Sequence, residues 1–345
     1  RRRNMATIKD IAKKLNVSPA TVSKALNGYG DLSDATVARV QKACEELHYR
    51  PNAAARMLKN GRSKNIGVIF QDDTDEQGGL THEYFSIILN NAKKEAESSG
   101  YDLTFINRNI SDSYLAHCKY RDFDGVLIVT SNYTDRDVLD LVESDIPLVS
   151  IDYSYDSHSS VMSDNVAGGY ELTKYLMSQG HRKIAFIHGE ETSVTRKREN
   201  GFYKALDEAG VIIPQEYIKL GIFHDPKSSG IATRELMALP DRPTAIMYPD
   251  DISYLGGLTE LEKEGLSIPD DISVTGYDGI KLASLLRPRL TTYQQDATAI
   301  GKTAMYLLVQ NIENPKLFEP ETRKVQGLLI RGQTVKNINA SDGSQ

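Results

Sequence analysis

Near the start of the chain, apolar residues Ile8, Ile11, Ala12 and Leu15 recur at helical spacing, one buried stripe on a short helix. Asn16–Val17 interrupts it. Ser18 then offers a hydroxyl to an orphan backbone N–H, and Pro19 takes the first helical position, where its missing N–H costs nothing. A second helix is predicted over 19–26, with Val22, Ala25 and Leu26 inward. A third, over 34–47, carries Val37, Val40, Ala43 and Leu47. From Ile66 onward the pattern changes. Short apolar runs at 66–70, 101–106, 125–130, 147–151, 183–189, 245–248 and 272–277 read as strands. Between them lie amphipathic stretches near 82–98, 135–143, 165–178, 196–209, 228–238 and 252–264. Gly100, Gly180, Gly210 and Gly265 fall where helices should stop. Such alternation predicts parallel sheets covered by helices, and about 270 residues exceed one comfortable sheet. The expected class is therefore α/β, two subdomains behind a small all-α head.

The second helix leaves Pro19, Ala20, Ser23, Lys24 and Asn27 pointing outward. A helix presented this way can enter a major groove, with its N-terminal side chains at the base edges. Lys24 can reach guanine or phosphate, and Ala20 a thymine methyl. Charge favours that use over a solvated basic face. Residues 1–64 hold 14 Lys and Arg against 5 Asp and Glu, net +9; the whole chain is −6, so residues 65–345 carry −15. A basic head on an acidic body is the footprint of a phosphate-binding module. Met5 reads as the natural start, and without Arg1–Arg3 the head is still +6. After it, HYRPNAAARML (48–58) reads as a detachable helix begun by a proline, and its AAARML is a strong helix former but too short to be stable alone in water. Such a segment orders only on binding.

Composition narrows the class further. No run reaches the ~18–20 apolar residues of a membrane span. Cys44 and Cys118 lie in different predicted domains without metal spacing, which suits a reducing cytoplasm and argues against zinc, and no export signal precedes the head. No nucleophile elbow, phosphate loop, HExxH or GxGxxG is present, so no catalysis and no cofactor are expected. A transport binding protein built on the same body would lack the basic head.

The segments TIKDIAKKLNVSPATVSKALNG (7–28), ELHYRPNAAARML (46–58) and LTTYQQDATAIG (290–301) resemble the lactose/galactose-repressor (LacI/GalR) family of bacterial transcription regulators. The resemblance implies a helix-turn-helix domain over 5–50 and a hinge helix and linker over 51–64. It implies a sensor like a periplasmic binding protein over 65–337, followed by a polar tail, 338–345. The N-subdomain would span 65–162 and 293–323, the C-subdomain 163–292 and 324–337. It also implies a homodimer on near-palindromic operator DNA. Thr7, Ser18, Pro19, Ala20, Thr21, Ser23, Lys24, Asn27, Tyr49 and Asn52 would face the DNA. In a hinge helix of about 52–59, Leu58 would wedge a base step open, with Arg56 and Lys59 on the phosphates. Pro19 and Ala20 stand where several members carry longer polar side chains, so direct readout there should be lean. The tail carries no leucine heptads, which favours a dimer over a tetramer.

Ligands of open α/β sheets sit beyond the carboxyl ends of the strands. Here those ends are acidic: Asp72, Asp73, Asp152, Asp250, Asp251 and Asp278. Aromatic residues Tyr84, Phe85, Tyr133, Tyr153 and Phe223 are near the same ends. Carboxylates accepting from paired hydroxyls, with rings for stacking, suit a sugar or short oligosaccharide. By resemblance, Arg198 of RKRENGF is the family's effector arginine and Asp278 of GYDG its strand-end aspartate, with Gly279 replacing a second Asp. Asp250 stands where many members have Asn, Phe223 where a stacking aromatic is common, and Gln295 at the return crossover. The expected effector set is Asp72, Phe85, Asp152, Arg198, Phe223, Asp250, Asp278 and Gln295. A purine-type co-repressor sensor or an activator is the alternative within the family. The long acidic loop 71–85 departs from the family's compact pattern.

Overall fold

A computed structural model describes residues 6–26, 32–49, 62–71, 79–106 and 113–339. Asn27, Asn52, Arg56, Leu58, Lys59, Asp72 and Asp73, and with them the hinge helix, lie outside the described residues. The chain divides into two compact units, 1–63 and 64–345.

The first unit is a three-helix cluster: α1 (Ile8–Leu15), α2 (Pro19–Leu26) and α3 (Asp34–Glu46). Thr7 starts α1 through a capping box, its hydroxyl accepting from Asp10 N–H while the Asp10 carboxylate accepts from Thr7 N–H. Asn16 in the left-handed conformation (φ 53°) ends it. Ser18 Oγ accepts from Thr21 N–H at 3.0 Å and opens α2. The core is Ile11, Ala12, Val22, Ala25, Val40 and Ala43. Small alanines at the crossings let three short helices approach closely.

The second unit holds two lobes. In the first lobe come β1 (Asn65–Phe70), α4 (Glu83–Ser98), β2 (Asp102–Phe105), α5 (Tyr114–Arg121), β3 (Gly125–Thr130), α6 (Arg136–Val142), β4 (Leu148–Ile151) and β5 (Ser159–Ser163). The chain then crosses through Asp164. The second lobe follows with α7 (Asn165–Ser178), β6 (Ile184–His188), α8 (Ser193–Glu208), β7 (Ile218–Leu220) and α9 (Pro226–Met237). It continues through β8 (Ala245–Met247), α10 (Tyr254–Lys263), β9 (Ser273–Asp278), α11 (Lys281–Leu285) and β10 (Thr291–Gln294). A second crossing leads to α12 (Ala297–Glu313) and β11 (Thr322–Val325) on the first lobe, and a third to β12 (Leu328–Ile330) on the second.

The first sheet is all parallel in the order β11-β5-β4-β3-β1-β2. The second runs β12-β10-β9-β8-β6-β7, with only β12 antiparallel. Helices cover both faces, which is why the central strands are continuous apolar runs. One face of the first sheet packs Ile66, Val68, Leu127 and Val149 against Ile88, Ile300 and Leu308 of α4 and α12. The other packs Ile69, Val126 and Ile128 against Cys118 and Leu141 of α5 and α6. In the second lobe α9 and α10 cover one face, α7 and α8 the other.

All three subdomain boundaries drawn from the sequence, at 162/163, 292/293 and 323/324, fall inside strands, and Ser163 pairs with Val325 in the first sheet. Tyr293 pairs with Tyr277 and Leu329, and Lys324 with Met162, so the crossings lie at 295–296 and 326–327. Ladder hydrogen bonding holds each strand to one sheet until its partner ends. Asp164 N–H donates to Val325 C=O at 2.8 Å, and Gly327 N–H to Tyr293 Oη at 3.1 Å, stitching the crossings side by side. Among the described residues no helix is long and apolar enough to cross a membrane.

Candidate ligand cleft and nucleic-acid interface

Between the lobes, at the carboxyl ends of both sheets, lies a cavity of about 620 Å³. The first lobe contributes Tyr84, Phe85, Tyr133, Asp152 and Tyr153; the second contributes Glu190, Arg198, Phe223, His224 and Asp278, with Gln295 at the crossover.

Arg198 is buried, and its place is set by helix packing. A Cβ on Gly169 of α7 would lie 2.2 Å from the Arg198 carbonyl oxygen, and one on Gly201 of α8 2.1 Å from that of Val166. Only glycine lets the two helices approach this closely. The guanidinium then donates from Nε to Asn165 Oδ1 (2.8 Å) and from Nη1 to Pro249 C=O (2.7 Å). It lies 3.5 Å from the Tyr277 ring centre and 5.4 Å from that of Phe223. Such a stacked, forked cation is fixed in orientation as a lysine would not be. Phe223 rests on Gly189, where a Cβ would come within 2.3 Å of its ring.

Asp152 and Asp278 both sit at strand ends in left-handed backbone, φ 61° and 93°. Asp152 Oδ2 accepts from Tyr84 Oη at 3.2 Å, while its buried Oδ1 has no hydrogen-bond partner. Burial raises the Asp152 pKa above the usual carboxylate range, opposed by the Arg198 charge and the Tyr84 hydroxyl. Tyr84 itself is held well above the ordinary phenol range, by burial first and by Asp152 and Asp278 next. Asp278 Oδ1 accepts from Gln295 Nε2 at 2.6 Å. That leaves Asp278 Oδ2 and Gln295 Oε1 buried without hydrogen bonds.

Phe85, Asp152, Arg198, Phe223, Asp278 and Gln295 are thus brought to one cavity. Asp250 is not. Its Oδ1 accepts from Ile252 and Ser253 N–H, and its Oδ2 from His224 N–H and Ser253 Oγ, all within 3.0 Å. With every lone pair engaged, Asp250 organises the loop before α10. Asp251 is likewise internal, accepting from Ile280 N–H and Thr292 Oγ1. The carboxylates around the cleft are instead Asp152, Asp278, Glu190 and Glu191. Sequence reading missed His82 and His224, whose rings lie 4.0 Å apart beside Asp278. A histidine directly after the aromatic Phe223, in the loop beyond a strand, was the available signal.

On the first unit, Pro19, Ala20 and Lys24 are exposed along α2, and Thr21 and Ser23 are half-buried. Thr7 and Ser18 are N-caps, so their hydroxyls are engaged at the helix ends. Tyr49 packs against the head core, and its N–H donates to Cys44 C=O.

Residues 7–52 match the family model described as bacterial regulatory proteins, lacI family, and residues 173–335 that of a periplasmic binding protein-like domain. The HTH-type transcriptional repressor PurR of Photobacterium profundum is 34% identical over 344 residues, 97% of this chain and all of that protein. The lac repressor dimer bound to operator and the anti-inducer ONPF superposes with a TM-score of 0.79 at 25% identity, covering 96% of this chain and 99% of that one. A complex of the transcriptional regulator CelR with cellobiose superposes at 0.69 and 26% identity, covering 95% and 99%. Identity sustained along the whole chain, together with a matching head and a matching two-lobed body, makes this chain a member of the lacI family of bacterial regulatory proteins, DNA-binding transcriptional regulators.

Proposed function

We propose that this chain is a cytoplasmic, homodimeric repressor whose cleft takes a sugar or short oligosaccharide, and that it has no catalytic role. One observation carries the effector class. Asp152 Oδ1, Asp278 Oδ2 and Gln295 Oε1 are buried acceptors lacking hydrogen bonds, and all three residues line one cavity. An unsatisfied buried acceptor costs about 1–3 kcal/mol, so a ligand rich in hydroxyl donors is favoured there. Phe85, Phe223 and Tyr153 offer faces for the C–H side of a sugar ring. The solved relative that holds cellobiose supports the same class. Four carboxylates in the lining, Asp152, Glu190, Glu191 and Asp278, disfavour phosphorylated or anionic ligands.

In this reading α2 enters the major groove, with Lys24, Ser23 and Ala20 toward the DNA. Asn52–Lys59 pair in the minor groove with Leu58 as wedge. Effector binding rotates one lobe against the other and changes the separation of the two hinge segments in a dimer. Coupling is reciprocal, so operator DNA shifts effector affinity by the same factor, typically ~5–150-fold.

A purine is the second reading. Tyr133 and Tyr153 stack at 4.8 Å with 4° between planes, a flat platform at the cavity edge. A thermal-shift screen of the full chain against sugars, oligosaccharides and purine bases decides. Stabilisation grows with ligand concentration over Kd. A stabilising sugar is expected; stabilisation by a purine alone overturns the sugar assignment. Gel-shift titration of the chain with and without residues 6–63 tests the DNA reading, which fails if removal leaves binding intact.

A further inference from the structure

Beside Asp278 stand two histidines, His82 and His224, whose chemistry sugar recognition does not require. His82 stands at the N-cap of α4 in the first lobe, with no side-chain cap bond. His224 and Asp278 belong to the second lobe, both non-glycine residues in left-handed backbone (φ 58° and 93°). Backbone of this kind persists only where the surrounding structure over-determines it. The Nε2 atoms of His82 and His224 lie 4.0 and 3.8 Å from Asp278 Oδ2. One ligand atom from each residue falls within 4.8 Å of the other two.

We propose that His82, His224 and Asp278 form a site for one divalent first-row transition-metal ion of the zinc class, which ties the two lobes together. The proposal shares Asp278 with the effector reading and is otherwise independent of it.

The donor set is two imidazoles and a carboxylate, the three-ligand pattern of a zinc site with an open fourth position. The point equidistant from the three atoms lies about 2.5 Å or less from each, against ~2.0–2.2 Å for zinc–nitrogen and zinc–oxygen bonds. A contraction of roughly half an ångström therefore completes the coordination. The carboxylate is already oriented. Gln295 Nε2 holds Asp278 Oδ1 at 2.6 Å, which turns Oδ2 toward the histidines. The His224 backbone is held by its amide N–H, donated to Asp250 Oδ2. The Phe85 ring lies 5.6 Å from both imidazoles, an apolar wall that strengthens the attraction between ion and ligands. Imidazole nitrogen disfavours magnesium and calcium, which take oxygen ligands. The remaining position opens on the cavity that His224 and Asp278 line, where water or an effector hydroxyl can complete the sphere.

The test is calorimetry on the full chain stripped with EDTA, using Zn²⁺, Co²⁺ and Mg²⁺ as probes. One Zn²⁺ or Co²⁺ per chain is expected, with visible Co²⁺ d–d bands, and no Mg²⁺ binding. His224→Asn tolerates the left-handed backbone and removes a ligand; His82→Ser keeps a capping residue and removes another. Each should weaken Zn²⁺ by more than the ~10–100-fold typical of losing an outer-shell partner. Absence of saturable binding overturns the site, as does binding unchanged in both variants. Should a variant misfold, the paramagnetically shifted N–H signals of the Co²⁺-loaded parent decide: two imidazoles support the site, one or none removes it. Sugar titration in EDTA separates the readings. Sugar binding without any metal binding sinks this inference alone, and metal binding without any sugar sinks the effector class alone.

Discussion

Gly169 lies directly beneath the backbone of Arg198: a Cβ there would come within 2.2 Å of the arginine's carbonyl oxygen. The position of the cleft's guanidinium is thus decided one helix away, by the absence of a side chain on α7. Gly169→Ala should displace α8 and cost about 3 kcal/mol, the upper end for overpacking because backbone cannot rotate aside. Gly301→Ala makes the same kind of clash between α12 and the Ile88 carbonyl, on helices that carry no cleft arginine. Both variants should melt several degrees lower. Only Gly169→Ala should also weaken effector binding, measured by calorimetry; equal effector affinity in both would uncouple helix packing from the site.

Arg198→Lys retains the charge and loses the fork. Asn165 Oδ1 and the Pro249 carbonyl lose donors, and the stack on Tyr277 is gone. Effector affinity should fall by about two orders of magnitude, while operator affinity without effector stays within a factor of about three, since the lost donors, each ~1–3 kcal/mol, lie in the cleft. A normal effector response in this variant removes Arg198 from the site.

Burial pushes the Asp251 pKa well above the carboxylate range, reinforced by Asp278 and Asp250 and opposed by donors from Thr292 and Ile280. A folded-state value above the unfolded one means the neutral carboxyl favours the fold at low pH. That contribution fades as pH rises through the folded-state value. An asparagine in place of the acid does not titrate, and Thr292 can reverse its hydroxyl to accept from the amide. From about pH 4 upward, the melting temperature of Asp251→Asn should gain on the parent's. A gap that does not change with pH would mean that burial of charge is not the controlling effect.

Operator affinity should fall steeply with salt, because Lys and Arg of the head displace condensed counterions. Lys24→Ala should lower the log–log slope by about one. An unchanged slope takes Lys24 off the phosphates. Leu58→Ala should weaken specific binding far more than nonspecific binding, and equal losses would refute the wedge.

What could be read beforehand follows from how each residue is surrounded. Strands sandwiched between helices, such as Gly125–Thr130, declare themselves as unbroken apolar runs. Ser159–Ser163 does not: it is fully buried yet mostly serine, and Ser160 Oγ meets Thr322 Oγ1 of the neighbouring strand at 3.0 Å. The edge strands Ile218–Leu220 and Thr322–Val325 are short and partly exposed, so no periodicity marks them. In the cleft, Arg198 was legible by resemblance, as the arginine three residues before the glycine of RKRENGF. Asp250 and Asp278 look alike in sequence, each an aspartate after an apolar run. They differ in what donates to them, and the donors to Asp250 include His224, 26 residues away in the chain. The donors from Ile252 and Ser253 are local, but the one from His224, which completes the set, is tertiary.

The three crossings lie side by side, bonded through Asp164 to Val325 and Tyr293 to Gly327. Lobes joined at three adjacent pins have little freedom beyond opening and shutting. The head is attached to one lobe only, since the chain enters the body at β1. In the proposed mechanism, whatever occupies the cleft is reported along the chain as a single quantity, the degree of closure. Two chemically different molecules that shut the lobes equally would be the same message to the DNA. All discrimination between them has to be made inside the cavity, before the signal leaves it.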